Sequence, residues 1–244
     1  MAREIHDHYF RQAKREGYLS RAAYKLIEID DRKKILNPGA RVLDCGAAPG
    51  SWLQVASQRI GPSGLVVGID LKPITHRFPH ANVRTLQGDL REIPASSLLP
   101  EPGPPEAGPD ELREEGPGFL NDRPPLFTVI LSDMAPSTTG DQNIDHHQST
   151  RLCQTLLDRC RDLLAEGGNL VMKVFEGEAY PDLLARCQRL FESAKGFRPK
   201  ASRGESREMY IIAHGYRGCD VEPPPDEAAP PPRRRPAPGW GSDK

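Results

Sequence analysis

The sequence lacks apolar runs of the length of a membrane span. Its 244 residues contain no stretch of about 18 consecutive apolar side chains, and the first residues lack the apolar segment of a secretory signal. Acidic residues as early as Glu4 and Asp7 argue against a mitochondrial transit peptide. We therefore expect a soluble, cytoplasmic protein of one large domain plus tails.

Patterns typical of disulfides and metal sites are missing as well. The five cysteines include no CxxC pair and show no regular spacing, which favours buried thiols in a reducing compartment. Two histidine pairs occur, His6 with His8 and His146 with His147, but neither has cysteine or carboxylate partners at ligand spacing. We expect no metal site.

The chain also lacks a strong net charge, which is −1 at pH 7. This average hides an uneven distribution, because segment 101–122 carries seven acidic residues and a single base, Arg113. The folded part is therefore expected to be basic. A basic surface suits a polyanionic partner, although a solvated surface without a partner is an ordinary alternative.

What the sequence has is an alternation of short apolar runs and helical periodicity, which is typical of a parallel sheet with helical crossovers. The predicted strands lie at 41–44, 65–69, 83–86, 127–131, 169–174 and 209–213. The predicted helices lie at 20–36, 51–60, 145–164 and 180–195. Acidic or polar side chains follow several of these strands, at the edge where open α/β sheets bind ligands.

Composition divides the chain into three parts. We expect a loosely held basic arm at residues 1–19, one folded domain at 20–218, and a disordered Pro- and Arg-rich tail at 219–244. Residues 95–125 are rich in Pro, Gly and Glu without periodicity, which predicts an exposed loop insertion between the third and fourth strands.

A loop of small residues, 45–50, joins the first strand to a helix and lets backbone amides approach a ligand. Its glycines, Gly46 and Gly50, do not match GxGxxG, which argues against a dinucleotide and hence a nicotinamide oxidoreductase. Asp70 ends the next strand and could accept from both ribose hydroxyls, and Asp89 follows another strand and could accept from an adenine amino group. Either aspartate alone could be a turn or cap residue. Their shared position favours an adenosine ligand without phosphates, S-adenosylmethionine.

Two amines and two carboxylates stand beside or at the ends of predicted elements: Lys25, Asp133, Lys173 and Glu208. A transferase that removes a proton needs such a cluster next to its cofactor loop. Glu208 could instead pair with Arg207 or a surface lysine, and Lys25 could lie on a solvated helix face.

Five motifs, SRAAYKL, LDCGAAPGSW, SDMAPSTTG, KVFEGE and SREMYIIA, together resemble the FtsJ (RlmE) family of ribose 2′-O-methyltransferases that act on ribosomal RNA. The resemblance covers roughly residues 8–217, and nothing carries over to the insertion or the tail. It implies a Rossmann-like, S-adenosylmethionine-dependent methyltransferase domain. Its sheet is mostly parallel and seven-stranded, with an antiparallel last strand and helices on both faces.

The resemblance also implies roles for single residues. The family's Lys-Asp-Lys-Glu tetrad falls on Lys25, Asp133, Lys173 and Glu208. Its S-adenosylmethionine contacts fall on Gly50, Trp52, Asp70, Asp89 and Asp133. The implied substrate is a uridine ribose in 23S (large-subunit) ribosomal RNA, within the large ribosomal subunit, and we expect a monomer that needs neither membrane nor metal.

A ribose 2′-hydroxyl is a poor nucleophile, so methyl transfer from a sulfonium benefits from proton removal and in-line alignment. We hypothesise that Lys173 takes this proton. If Lys173 stays charged, it orients and stabilises the developing alkoxide instead. Asp133 and Glu208 favour the charged form and Lys25 opposes it, so both roles stay open.

The tetrad reflects the reaction and says little about which RNA is methylated. A transfer RNA or an mRNA cap is therefore an alternative target. A further alternative is a non-catalytic RNA-binding ribosome assembly factor. This alternative is disfavoured because all four tetrad positions hold side chains that are competent for catalysis. Basic residues in or before the first helix would form an entrance for phosphates: Arg11, Lys14, Arg15, Arg21 and Lys25.

Overall fold

A seven-stranded sheet organises the computed structural model, which describes residues 2–98, 126–201 and 207–218, with side chains from residue 8 onward. The strands are β1 (Arg41–Cys45), β2 (Leu65–Asp70), β3 (Val83–Gln87), β4 (Phe127–Ser132), β5 (Leu164–Phe175), β6 (Phe191–Phe197) and β7 (Glu208–Tyr216). Their order across the sheet is β3-β2-β1-β4-β5-β7-β6. β1 to β5 are parallel, and β7 runs antiparallel to both β5 and β6. The mostly parallel sheet with an antiparallel last strand is thus confirmed.

Helices cover both faces of this sheet. They are α1 (Ala2–Glu16), α2 (Ala23–Lys33), α3 (Ser51–Ile60), α4 (Ala95–Leu98), α5 (Gln142–Leu163) and α6 (Tyr180–Leu190). α2 and α3 pack on one face, and α5 and α6 pack on the other. None of these helices combines the length and the apolar character needed to cross a bilayer.

Alternation along each strand assigns successive side chains to opposite faces. In β1 and β4, Val42 and Val129 pack under α2 and α3, whereas Leu43 and Ile130 pack with α5. Both faces are therefore buried, which explains why the central strands are apolar almost throughout. The same alternation determines the face of the sheet on which the polar side chain at the end of each strand lies.

The sequence missed one strand. The helix predicted at 180–195 ends at Leu190, and the chain continues as the edge strand β6. Phe191 and Ala194 are buried and lie three residues apart, a spacing typical of a helix face and not of one face of a strand, so apolar periodicity favoured the helix. Gly196 lies so close to the Tyr180 hydroxyl that a Cβ has no room, and glycine disfavours a helix interior.

The N-terminal segment differs from the loosely held arm that its polar composition predicts. It contains the helix α1, which packs against α2. The ring of Tyr9 lies 5.4 Å from that of Tyr24, centroid to centroid, and the Tyr24 hydroxyl donates to Glu16 at 2.9 Å. Tyr9 and Ala13 are four residues apart and so share one face of the helix, a short apolar stripe that average composition conceals.

The predicted insertion and tail fall largely outside the described residues. The first residues of the insertion form α4, and segments 99–125 and 219–244 are not described. Within the described ranges, no group of three or more His, Cys, Asp or Glu side chains is placed to hold a metal ion.

Asp30 stabilises the end of α2, where Lys34 adopts a left-handed conformation with φ 53°. The Asp30 carboxylate accepts from the amides of Ile35 at 3.0 Å and Leu36 at 2.8 Å, and its second oxygen lies 3.3 Å from Arg59 of α3. The aspartate therefore satisfies two buried amides and joins α2 to α3.

We predict that Asp30→Ala lowers the free energy of unfolding by about 2–4 kcal/mol, because two buried amides lose their acceptor. Urea denaturation measures this loss. Asp31→Ala is the matched control, since Asp31 is an exposed partner of the same Arg59, and it should cost less than about 1 kcal/mol. Equal losses in the two variants would contradict the importance of the buried cap.

Candidate active site

The four predicted catalytic side chains meet at one edge of the sheet, on the face covered by α2 and α3. Asp133 directly follows β4, and Lys173 lies near the carboxyl end of β5. Glu208 begins β7, whose antiparallel direction places it beside Phe175 at the same edge. Lys25 is supplied by α2. Residues distant in the sequence are thus brought into one cluster.

The first ion pair joins Lys173 to Asp133. The Lys173 ammonium lies 3.0 Å from Asp133 Oδ1 and donates to the Asp133 carbonyl oxygen at 2.6 Å. Only 6% of the Lys173 side chain and 20% of the Asp133 side chain are exposed. Because both groups are largely withdrawn from water, their attraction is strong and weakly screened by salt.

The second ion pair joins α2 to β7. Lys25 Nζ donates to Glu208 Oε2 at 2.8 Å, and the Lys25 side chain is as buried as that of Lys173. The alternative of Lys25 on a solvated helix face is therefore wrong.

Tyr210 connects the two ion pairs. Its hydroxyl donates to Asp133 Oδ1 at 2.7 Å, and Lys25 Nζ lies 5.9 Å from the centroid of its ring. In the register of β5 and β7 it stands opposite Lys173. Sequence reasoning missed Tyr210, although its spacing of two residues from Glu208 places both side chains on one face of β7.

The charges around Asp133 determine its protonation. Burial raises the pKa of Asp133, but the ammonium groups of Lys173 and Lys25 and the Tyr210 hydrogen bond outweigh burial and hold this pKa below its ordinary value. Burial and then the negative charges of Asp133 and Glu208 raise the pKa of Tyr210 well above its ordinary value. At neutral pH the site therefore holds an anionic Asp133 and a neutral Tyr210 that donates to it.

The small-residue loop turns at Gly46 and Gly50, whose φ angles are 76° and 114°. A Cβ on Gly46 would lie 2.7 Å from the Met134 side chain, so a larger residue would displace the segment that follows β4. Asp70 accepts from the Ala48 amide at 2.9 Å. The predicted ribose-reading carboxylate therefore also fixes the shape of the loop.

Asp89 lies next to Asp70, as their positions at successive strand ends predict. The Gly88 amide donates to the Asp70 carbonyl oxygen at 2.9 Å. Arg91 Nε lies 3.0 Å from each carboxylate oxygen of Asp89, and hydrogen bonding from Arg91 lowers the pKa of Asp89. Asp89 is thus anionic and held in place beside Asp70.

Trp52 is buried and contacts α2. Its indole N–H donates to the Ala22 carbonyl oxygen at 2.9 Å, and its ring lies 5.9 Å from the Tyr210 ring, centroid to centroid. Trp52 therefore supports the helix that carries Lys25. Its implied contact with the cofactor stays a prediction.

Asp44, near the end of β1, is a candidate site residue that sequence reasoning did not single out. It is fully buried, and neither carboxylate oxygen has a hydrogen-bond partner among the described residues. Burial, followed by the charges of Asp133 and Asp70, raises its pKa well above the ordinary value. The sequence signal that could have identified Asp44 is its position directly before the glycine loop. A buried polar group of this kind normally has a hydrogen-bond partner, which a bound ligand could supply here.

Of the five residues expected to form a basic entrance, Lys25 is buried against Glu208 and so does not belong to an exposed surface. Arg11, Lys14 and Arg15 are exposed on α1, and α1 is joined to α2 through Tyr24. The ring of Tyr24 packs against the rings of Tyr9 and Tyr18, which fixes α1 against α2. The entrance for phosphates stays a prediction.

Comparison with known proteins gives consistent matches. The FtsJ-like methyltransferase family matches residues 18–216. A "Ribosomal RNA large subunit methyltransferase E" from Syntrophobacter fumaroxidans is 47% identical over 212 residues, which cover 87% of this chain and 96% of that protein. A protein of the same name from Halobacterium salinarum is 40% identical over 210 residues, which cover 86% of this chain and 73% of that protein.

A solved structure supports the same relationship. The crystal structure of a Plasmodium falciparum protein described as a ribosomal RNA methyltransferase superposes with a TM-score of 0.63 at 25% identity. The superposition covers 82% of this chain and 98% of that chain. The resemblance drawn from the five sequence motifs is confirmed.

We predict that Lys173→Met changes how stability depends on pH. The lowered pKa of Asp133 in the wild type stabilises the fold at neutral pH, and this contribution is lost as the pH falls below about 4. Lys173 is the strongest of the groups that oppose burial at Asp133, so we expect the pKa of Asp133 to rise when Lys173 is removed, although Lys25 and Tyr210 remain. The variant should then lose stability as the pH rises from about 5 to about 8, where a buried Asp133 must ionise.

Urea denaturation over this pH range measures the difference. Lys195→Met is the control, because Lys195 is exposed on β6, and it should keep the wild-type profile. A wild-type profile in Lys173→Met would show that Lys173 does not control the ionisation of Asp133.

Proposed function

Because this chain belongs to the FtsJ-like methyltransferase family, we propose that it transfers the methyl group of S-adenosylmethionine to a ribose 2′-hydroxyl of large-subunit ribosomal RNA. The observation that carries this proposal is the pair of buried ion pairs, Lys173–Asp133 and Lys25–Glu208, which Tyr210 joins at the ligand-binding edge. The names of the relatives support the substrate class. We further propose that the target is a uridine within the large subunit and that the enzyme acts as a cytoplasmic monomer.

The charges at the sheet edge fit S-adenosylmethionine, which carries a sulfonium and an ammonium group but no phosphate. Asp44, Asp70 and Asp133 stand at the ends of three neighbouring strands, and Asp44 has no hydrogen-bond partner among the described residues. We propose that the residues that hold the cofactor are Gly50, Trp52, Asp70, Asp89 and Asp133, together with Asp44. When bound, the cofactor supplies an electrophilic methyl group.

The chain's own contribution to the reaction centres on Lys173 Nζ. Two of the positions around this nitrogen point at Asp133, towards Oδ1 and the carbonyl oxygen. The remaining position is available to the substrate hydroxyl. An N–H there orients the hydroxyl and stabilises the developing alkoxide, whereas a lone pair there accepts the proton. In both cases Asp133 fixes the direction in which Lys173 acts.

Lys25 and Glu208 complete the site from its opposite side. The Lys25 ammonium adds positive charge close to the same cluster, since it contributes to the lowered pKa of Asp133. Glu208 holds Lys25 through its 2.8 Å hydrogen bond. A preorganised cation in a water-poor site favours a transition state in which negative charge grows on oxygen.

We predict that Lys173→Ala lowers kcat by about 10²–10⁴-fold, the range expected when a proton-transfer or alkoxide-stabilising group is removed. Calorimetry should show that the variant still binds S-adenosylmethionine and that neither the variant nor the wild type binds NAD. Lys195→Ala, on the exposed face of β6, is the control and should keep wild-type kcat.

Lys173→Arg separates the two roles of the lysine. Arginine stays charged in proteins and cannot accept the proton. Appreciable activity in this variant therefore excludes proton abstraction by Lys173. Inactivity of Lys173→Arg, together with a wild-type rate that rises with pH, supports it.

The proposed substrate is tested by mapping ribose 2′-O-methylation in RNA from cells with and without the gene. We predict the loss of one uridine mark in large-subunit ribosomal RNA, restored by the wild-type gene and not by Lys173→Ala. An unchanged ribosomal RNA pattern refutes the substrate proposal. A lost mark in transfer RNA or at an mRNA cap would identify one of the alternative targets.

A further inference from the structure

One face of α5 is bonded to the end of β5, where Lys173 lies. His146, Ser149 and Cys153 are three and four residues apart and so share this face. The Cys153 thiol donates to the Lys173 carbonyl oxygen at 3.1 Å, and the Ser149 hydroxyl accepts from the Phe175 amide at 3.0 Å. These bonds hold the backbone on both sides of residue 174.

His146 extends this contact into the turn between β5 and α6. Its Nδ1 lies 2.7 Å from the Phe175 carbonyl oxygen, and its Nε2 lies 3.0 Å from the Ala179 amide. An amide can only donate and a carbonyl can only accept, so Nε2 is the acceptor and Nδ1 carries the proton. The side chain is buried, and both of its polar atoms are satisfied. The ring therefore bridges the first and last residues of the turn 175–179.

The turn lies directly on the imidazole ring. A Cβ on Gly177 would overlap the ring of His146, so the backbone passes with no space for a side chain. This close contact and the two hydrogen bonds leave the turn little freedom to move relative to α5.

The far side of the turn is bonded to the strand that supplies the other half of the site. The Glu176 amide donates to the Arg207 carbonyl oxygen at 2.8 Å, directly before Glu208. In the sheet register, Phe175 is paired with Glu208. The turn therefore contacts the segments that carry Lys173 and Glu208 at the same time.

We propose that His146 is a positioning residue for catalysis, which holds the turn 175–179 so that Lys173 and Glu208 keep their relative places. This inference rests on the proposed methyl transfer, because it assigns His146 a function in that reaction. His146 contacts backbone and not the reacting atoms. A small displacement of Lys173 is expected to lower the rate strongly, since misplacement by about 1 Å can cost about 100-fold.

Three substitutions separate the two hydrogen bonds of His146. His146→Leu removes both. His146→Asn can keep a donor near the position of Nδ1, and His146→Gln can keep an acceptor near the position of Nε2. Thr150→Val is the matched control, because Thr150 is buried on the same helix and its hydroxyl has no partner among the described residues.

We expect His146→Leu to lower kcat by about 10- to 100-fold, with KM for RNA and the affinity for S-adenosylmethionine changed by less than about twofold. His146→Asn should recover more activity than His146→Gln, because Phe175 is two residues from Lys173 in the chain and Ala179 is six. Thr150→Val should keep wild-type kcat. Wild-type kcat in soluble His146→Leu, or an equal loss in Thr150→Val, overturns the proposal.

Amide hydrogen exchange tests the same idea without the reaction. Residues 173–179 and 207–210 should exchange faster in His146→Leu and Ser149→Ala than in Thr150→Val. Unchanged exchange overturns the positioning role even if methylation is confirmed. If wild-type enzyme fails to methylate ribosomal RNA while exchange responds as expected, the substrate proposal fails and the structural coupling holds. If His146→Leu does not fold, His146→Asn and Ser149→Ala are compared with Thr150→Val in its place.

Discussion

The buried carboxylate of Asp133 is the group on which the rest of the site depends. An unpaired charge withdrawn from water costs several kcal/mol, and Asp133 is stable as an anion because Lys173, Lys25 and Tyr210 surround it. These partners come from β5, α2 and β7, so three separate elements must be in place before the charge is compensated. The position of Lys173 is then a consequence of the electrostatic requirement of its partner, Asp133.

The layered fold supplies these partners through simple geometry. Alternation along the strands sends the polar strand-end residues to the face covered by α2 and α3, while α5 packs on the opposite face. α3 supports α2 through Trp52, and α5 holds the backbone around Lys173 through Ser149 and Cys153. The face covered by α2 and α3 therefore carries the chemical groups, and the helix on the opposite face, α5, holds the backbone that positions them.

Much of this architecture could be predicted from the sequence, because strand ends and glycine loops have local signals. Lys25, Asp133, Lys173 and Glu208 stand in motifs, and the structure brings them together. Tyr210 was missed because a tyrosine in an apolar strand resembles core. Asp44 stands directly before the glycine loop, but its significance lies in burial without a partner among the described residues, which only the structure reveals. β6 was missed because its apolar spacing fits the end of a helix.

The placement of β7 between β5 and β6 has a consequence for how the protein is made. During synthesis, β5 and β6 emerge first, and until β7 arrives the edge of β5 has no neighbour with which to pair. Glu208 and Tyr210 are also the last members of the cluster to leave the ribosome. Lys25 and Asp133 thus lack their final partners on an incomplete chain, and an exposed strand edge invites wrong association. Insertion of β7 pairs the free edge of β5 and brings Glu208 and Tyr210 to the cluster at the same time, so the candidate active site forms only when the sheet is complete.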